Sequence, residues 1–154
     1  MHSLTYSSSK TYGHDLGFSC CFRQWRADSH CRLLHGYALA IRLEFEADTL
    51  DDKNWVVDFG SLKNLKSIFE QLFDHTLVVA EDDPDLDTFV DLNDKGIANV
   101  VFVENTGCEA FARLIFDYTD AWLEDDTSYK PRVRMRSVTV SEHGANSATY
   151  TGGQ

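Results

Sequence analysis

The sequence predicts an α+β domain, an antiparallel sheet covered on one face by a pair of helices. Three observations carry this. Leu39, Ile41, Leu43, Phe45 and Ala47 alternate with Ala40, Arg42, Glu44 and Glu46, the period of a strand with one wet face. Leu62, Leu65, Ile68, Phe69, Leu72 and Phe73 then recur at helical spacing. The chain closes on two further strand-like stretches, 133–141 and 147–151, around the turn residues Gly144-Ala145-Asn146.

Taken in order, residues 4–8 and 17–24 are weaker strand candidates, and 39–47 is the clearest element. Residues 48–54 are polar and read as a turn, followed by a short apolar strand, Trp55-Val56-Val57. The first helix covers 61–73, with Lys63, Asn64, Lys66 and Glu70 outside its apolar stripe. Residues 81–94 carry seven acids and one proline and read as a solvated loop. A second helix covers about 109–123, with Phe111, Leu114, Ile115, Tyr118 and Trp122 facing inward. Thr106 and Glu109 have the spacing of a capping box at its start. In 133–141, Val133 and Met135 share one parity while Val138 and Val140 share the other. Either a bulge near Ser137 or burial on both faces explains the switch. A sheet of this kind leaves one face and its edges open, and self-association would cover them.

At 154 residues the chain is long enough for one domain, 1–154, with its own core. Apolar residues at 43% and charged residues at 25% exclude a disordered chain. No apolar run approaches the length of a membrane span, and residues 1–17 hold no apolar signal region. The net charge of −11 argues against a nucleic-acid partner but leaves room for an anionic small molecule, because a site reads local charge. Arg23, Arg26 and Arg32 form one basic cluster. Lys130, Arg132, Arg134 and Arg136 form a second, at a spacing that also suits the wet face of a strand. The cysteines Cys20, Cys21, Cys31 and Cys108 form no CxxC pair, so free thiols in a reducing, cytoplasmic setting are expected.

Six polar residues stand in positions that suit chemistry: Cys31, His35, Asp74, His75, Glu109 and Glu142. Cys31 lies among Arg26, Arg32, His30 and His35, and positive neighbours favour a thiolate; a small buried hydrophobe fits the position equally. In Asp74-His75 a carboxylate stands beside an imidazole, as proton transfer requires. Adjacent residues rarely bond each other, so the partner of each is expected elsewhere, and a histidine offsetting a helix dipole is the plainer account. Glu142 at a strand end suits a planar two-donor ligand, or simply faces water in a turn. The spacing of His30 and His35 matches no well-defined zinc pattern.

Six segments together resemble the 6-pyruvoyl-tetrahydropterin synthase and 6-carboxytetrahydropterin synthase family, from about Tyr12 to Tyr150. Phe18-Ser19 resembles the opening F-S-x-x-H, and Cys31-Arg-Leu-Leu-His35-Gly36 resembles C-x-x-L-H-G-H. Val57-Asp58-Phe59 with Leu62-Lys63 resembles V-x-D-F-x-x-L-K, and Phe73-Asp74-His75-Thr76-Leu77 resembles L-D-H-x-x-L. Glu109-Ala-Phe-Ala112 resembles P-T-x-E-x-x-A, and Val138-Thr-Val140-Ser-Glu142 resembles V-x-V-x-E-T.

The resemblance implies the T-fold, a four-stranded antiparallel sheet with two helices between strands two and three. It also implies a homohexamer with sites at subunit interfaces. The implied enzyme is a carbon–carbon or carbon–oxygen lyase acting on 7,8-dihydroneopterin triphosphate. Its product would be a 6-carboxy- or 6-pyruvoyl-tetrahydropterin, with queuosine-type and biopterin synthesis both open. By position, Cys31 would abstract the proton, Asp74 and His75 would relay it, Glu142 would anchor the pterin and Glu109 would assist. The basic clusters would receive the triphosphate.

The implied zinc has three histidine ligands in the family, and the corresponding residues are Phe22, His35 and Tyr37, so only His35 keeps a ligand's chemistry. Gly107 stands at the family's threonine, with Thr106 one place earlier. Three readings follow. One is an enzyme whose zinc site is rebuilt on His35 with Cys20, His30 or His14. The second is a metal-free enzyme using Cys31, Asp74 and His75, and the third is a pterin- or purine-binding protein without catalysis.

Overall fold

A computed structural model describes residues 4–125 and 128–153. Its organising strand is β3 (His35–Ala47), longer than the predicted 39–47. Leu39, Ile41, Leu43, Phe45 and Ala47 are all buried on one face, as the alternation requires. One edge of β3 is shared between two strands. β2 (Phe18–Phe22) pairs with its first half, Phe18 opposite Leu39 and Phe22 opposite His35, and β1 (Tyr6–Tyr12) pairs with its second half. The other edge takes β6 (Val133–His143), which pairs in turn with β7 (Asn146–Tyr150). All four pairings are antiparallel. The parity switch in β6 is a bulge. Register jumps from Ser137 opposite Glu44 to Met135 opposite Phe45, leaving Arg136 unopposed.

The sheet is larger than predicted, with seven strands among the described residues, and it is not wholly antiparallel. β4 (Thr76–Ala80) adds to β2 in parallel, and β5 (Val100–Val103) adds to β4 in parallel. β4 is buried at all five positions, so it shows no alternation for a sequence reading to find. Conversely, Trp55-Val56-Val57 is not a strand. The Asp51 carboxylate accepts from the backbone N–H groups of Lys53 and Trp55, both at 2.9 Å, and holds the segment as a turn.

Among the described residues three α-helices, not two, lie between β3 and β6: α1 (Lys63–Phe73), α2 (Leu86–Asp94) and α3 (Cys108–Asp125). α1 buries Leu65, Phe69 and Phe73, and a short 3₁₀ turn, Phe59–Leu62, precedes it. α2 replaces part of the expected acidic loop. Phe89 is buried against Leu77 and Val79, with Leu86 and Leu92 packed beside it, a helical stripe hidden among carboxylates. α3 buries Phe111, Ala112, Ile115, Thr119, Trp122 and Leu123; Tyr118, expected inward, is 43% exposed. The Thr106–Glu109 capping box is not what starts α3. The Thr106 hydroxyl instead donates to the Arg23 carbonyl at 2.8 Å, tying this turn to the segment after β2. α1 and α3 meet over β2, where Phe111 packs against both Phe73 and Phe22 with ring centroids 5.1 Å apart in each case. Among the described residues no helix is long and apolar enough to cross a membrane.

Candidate functional site

The segment from Arg23 to Leu34 leaves β2, carries Cys31 and returns into β3. It is tied down along its length. The Gln24 N–H donates to the Cys31 carbonyl at 2.9 Å, closing the segment on itself. Ser29 accepts from the Cys31 N–H and starts the 3₁₀ turn His30–Arg32. The Gln24 side chain donates to the Thr106 carbonyl at 2.7 Å. The Arg23 guanidinium grips Asp83 through two bonds of 2.9 and 2.7 Å and reaches Asp85 at 2.7 Å. Burial alone would raise the Asp83 carboxyl. Its hydrogen bonds with Arg23 and the Asp85 backbone outweigh that and hold it below the usual carboxylate range.

These bonds correct one expectation. The two basic clusters are not open receptors for a triphosphate. Arg23 is held by Asp83 and Asp85, Arg26 by Asp82, Arg134 by Glu46 and Asp48, and Lys130 by Asp120 and Glu124. Arg136 lies 3.7 Å from Glu44, and Arg132 donates to the carbonyls of Thr49, Trp55 and Val56. Arg32, beside Cys31, has no carboxylate within salt-bridge distance among the described residues; its guanidinium reaches the Ser29 carbonyl.

The predicted site residues fall into two groups. The first gathers where β3 begins. The core-facing parity of β3 continues backward from Leu39 to Tyr37 and His35, so the face that is apolar farther along turns polar here. Tyr37 lies within electrostatic reach of Glu142 from β6, of Cys31 and of Cys108 at the start of α3. Burial raises the Tyr37 phenol, and the charges of Glu142 and Cys31, a hydrogen bond with Glu142 and the charge of Cys108 raise it further. Cys108 is pushed up to about 12, first by burial and then by the charges of Glu142 and Glu109. Cys20, buried between Phe18 and Phe22 on β2, is pushed up to about 12 by burial and by its neighbours Cys21 and Cys108. Both stay thiols at neutral pH. Tyr37 and Cys108 were not among the residues singled out for chemistry. Polar side chains on a buried parity were the available signal.

The second group is Asp74 and His75, at the junction of α1 and β4. They bond each other directly, contrary to expectation: His75 Nδ1 lies 2.8 Å from the Asp74 carboxylate. The backbone explains it. His75 has a φ of 57°, and its N–H donates to the Ser19 carbonyl at 2.7 Å, which turns the imidazole back over Asp74. The arrangement leaves Nε2 free for proton exchange. The His75 side chain is 87% exposed and stands at a cavity of about 400 Å³ that Ser19, Cys21, Leu34 and Gly36 also line. Neither Cys31, Glu109 nor Glu142 lines that cavity.

The residues at the implied zinc positions come together but do not suit a metal. Phe22, His35 and Tyr37 form a triangle of rings with centroids 5.4, 6.0 and 5.3 Å apart. Phe22 carries no donor atom and is fully buried. His35 Nδ1 bonds the Leu33 carbonyl at 2.7 Å, so that nitrogen carries the proton and only Nε2 offers a lone pair. Catalytic zinc usually takes three protein ligands. Among the described residues, no group of three His, Cys, Asp or Glu side chains is placed to hold a metal ion, so Cys20, His30 and His14 do not rebuild the set.

Residues 14–153 match the profile of the family described as 6-pyruvoyl tetrahydropterin synthase. The chain is 26% identical over 148 residues to a 6-carboxy-5,6,7,8-tetrahydropterin synthase of Aquifex aeolicus, covering 94% of this chain and 88% of that protein. A protein of the same description from Rickettsia typhi is 35% identical over 57 residues, 36% of this chain and 41% of that one. Among solved structures, an uncharacterized protein of Wolinella succinogenes superposes with a TM-score of 0.82 at 19% identity, over 98% of this chain and all of that one. The 6-pyruvoyl tetrahydropterin synthase of Plasmodium falciparum superposes with a TM-score of 0.66 at 16% identity, over 96% and 97%.

Proposed function

The chain belongs to the 6-pyruvoyl tetrahydropterin synthase family, and on that premise we propose that it is a pterin synthase-like enzyme acting on 7,8-dihydroneopterin triphosphate. The observation that carries this reading is that Cys31, from the segment after β2, and Glu142, from β6, both act electrostatically on Tyr37 of β3. The Glu142 carboxylate accepts from the amino and ring N–H groups of the pterin, a charge-assisted pair of bonds. Cys31, as thiolate, removes the proton from the side-chain carbon next to the ring, and triphosphate leaves as the side chain rearranges or is cleaved. Arg32 is the cation nearest in sequence to Cys31 that is open to the triphosphate. Glu109, one residue from Cys108, supports the pterin end.

Asp74 and His75 relay protons, with Asp74 orienting the ring through Nδ1 and Nε2 exchanging the proton. In one chain the cavity at which His75 stands is lined by neither Cys31 nor Glu142. We therefore propose a homohexamer in which the exposed dyad of one subunit completes the Cys31–Glu142 half of another. β1, β3, β6 and β7 would be the family's four-stranded T-fold unit, to which β2, β4 and β5 are added. A cytoplasmic setting fits four free thiols.

The test is incubation of the purified protein with 7,8-dihydroneopterin triphosphate, products being read by fluorescence and mass. Cys31→Ala should lower turnover by roughly 10²–10⁴-fold. Equal turnover in that variant, or none in the wild type, removes the reading.

A further inference from the structure

Beside the Asp74–His75 dyad, α1 ends with an exchange of hydrogen-bond partners. In the common left-handed helix terminus, the residue after the cap takes a positive φ and returns its N–H to a carbonyl of the last turn. His75 follows the cap residue Asp74 and has the positive φ, 57°. Its N–H, however, donates to the Ser19 carbonyl of β2 at 2.7 Å. The helix carbonyl that this N–H would ordinarily satisfy is that of Leu72. The Thr76 hydroxyl takes its place and donates to Leu72 at 2.9 Å. A side chain one residue later thus caps the helix, which frees the His75 N–H to cross to the sheet.

Both neighbours of His75 are fixed. The Asp74 N–H donates to the Glu70 carbonyl at 2.9 Å, and the buried Thr76 stands opposite Cys20 in the parallel β2–β4 register. The dyad depends on this. In extended backbone, adjacent side chains point to opposite sides. Asp74 is extended, so an extended His75 would carry its ring away from the carboxylate. The 2.8 Å bond between Asp74 and Nδ1 therefore needs the left-handed turn. Residues other than glycine keep that conformation only where their surroundings over-determine it.

We infer that Thr76 is a positioning residue: by capping α1 with its hydroxyl, it holds His75 in the left-handed turn that keeps the imidazole on Asp74 and at the cavity. The inference rests on the pterin synthase reading above and adds a residue to its proton relay. Thr76 acts through His75 and not on the substrate. Without the hydroxyl, the Leu72 carbonyl loses its donor. The His75 N–H is the group placed to return to it, as in the common terminus. Taking that bond withdraws the backbone from Ser19 and moves the imidazole. A displacement of about 1 Å in a reacting group costs on the order of 10²-fold in rate.

The experiment compares the wild-type protein with Thr76→Val, which keeps the side-chain shape and deletes the hydroxyl, and with Thr76→Ser, which keeps the hydroxyl. We expect kcat of Thr76→Val to fall about 10–100-fold. Its KM and its affinity for a non-reacting pterin should change less than about threefold, as should kcat of Thr76→Ser. Crystal structures of both variants give a readout without turnover: the His75 N–H should stay on Ser19 in Thr76→Ser and leave it in Thr76→Val. A Thr76→Val protein keeping more than half of wild-type kcat overturns the inference. So does a Thr76→Ser protein as impaired as Thr76→Val, or a Thr76→Val structure in which His75 still bonds both Ser19 and Asp74. Where Thr76→Val does not fold, Thr76→Ala deletes the same hydroxyl and is read in the same way. If neither folds, the hydroxyl holds the fold and not the dyad, and the inference falls. A wild type that turns over no dihydropterin refutes instead the reading beneath, while the two structures still decide what Thr76 does to His75.

Discussion

Replacing Asp83 by alanine would remove the carboxylate on which the Cys31 segment is moored. The Asp83 side chain is 2% exposed, and Arg23, which it grips through two bonds, is 20% exposed. Breaking a buried pair by deleting one partner costs about 3–5 kcal/mol, because a charge is left buried without compensation. Here Arg23 keeps Asp85 at 2.7 Å and touches solvent, so about 2–3 kcal/mol is expected. At roughly 2–4 °C per kcal/mol for a domain of this size, the thermal midpoint should fall by about 5–10 °C. Circular dichroism melts measure this directly. The sign with pH also follows. The folded-state carboxyl is held below its ordinary value, so its stabilisation is present above the unfolded pKa and is lost as pH falls through the folded one. The gap between wild type and variant should be full at neutral pH and close in acid. A second variant, Arg23→Met with Asp83→Leu, should recover most of the loss, because an apolar pair leaves no stranded charge. A fall of less than about 2 °C for Asp83→Ala, or a gap that does not depend on pH, would refute the account.

Three further outcomes are expected. Cys31→Ala and His75→Ala should each be inactive alone, yet co-refolded in equal amounts they should regain about one quarter of wild-type turnover, since random mixing gives that fraction of interfaces both intact groups; no recovery would place both groups in one subunit. Glu142→Gln should weaken pterin binding by about 10–100-fold in calorimetry, the worth of a charge-assisted bond, and unchanged affinity would remove the anchoring role. Gly107→Ala should cost about 1–3 kcal/mol in urea melts, because Gly107 has a φ of 108° and a Cβ there would run into the Gln24 amide that braces the Cys31 segment; a neutral substitution would mean that the brace is dispensable.

How far the sequence could be read depended on whether each residue's role was local. β3 and α1 were legible because their apolar spacing reports which face is buried. Even the β6 bulge was, through a change of parity near Ser137. β4 was not, since a strand buried on both faces shows no period. α2 was hidden because its acids read as a loop while Leu86, Phe89 and Leu92 kept a helical stripe. Tyr118 shows the converse, an aromatic on the expected stripe that the fold leaves exposed.

The site divides in the same way. The sequence by itself determined which chemical groups are available: a thiol at Cys31, an imidazole beside a carboxylate at Asp74-His75, a terminal carboxylate at Glu142, and a missing set of metal donors at Phe22 and Tyr37. These are properties of side chains and need no neighbours. Only the tertiary structure decided what those groups face. It paired the arginines with acids, brought Tyr37 within electrostatic reach of Glu142 and Cys31, and set His75 at a cavity that neither of them lines. Charge and hydrogen bonding act through space over a few ångströms, and strands distant in sequence come within that range only when the sheet assembles.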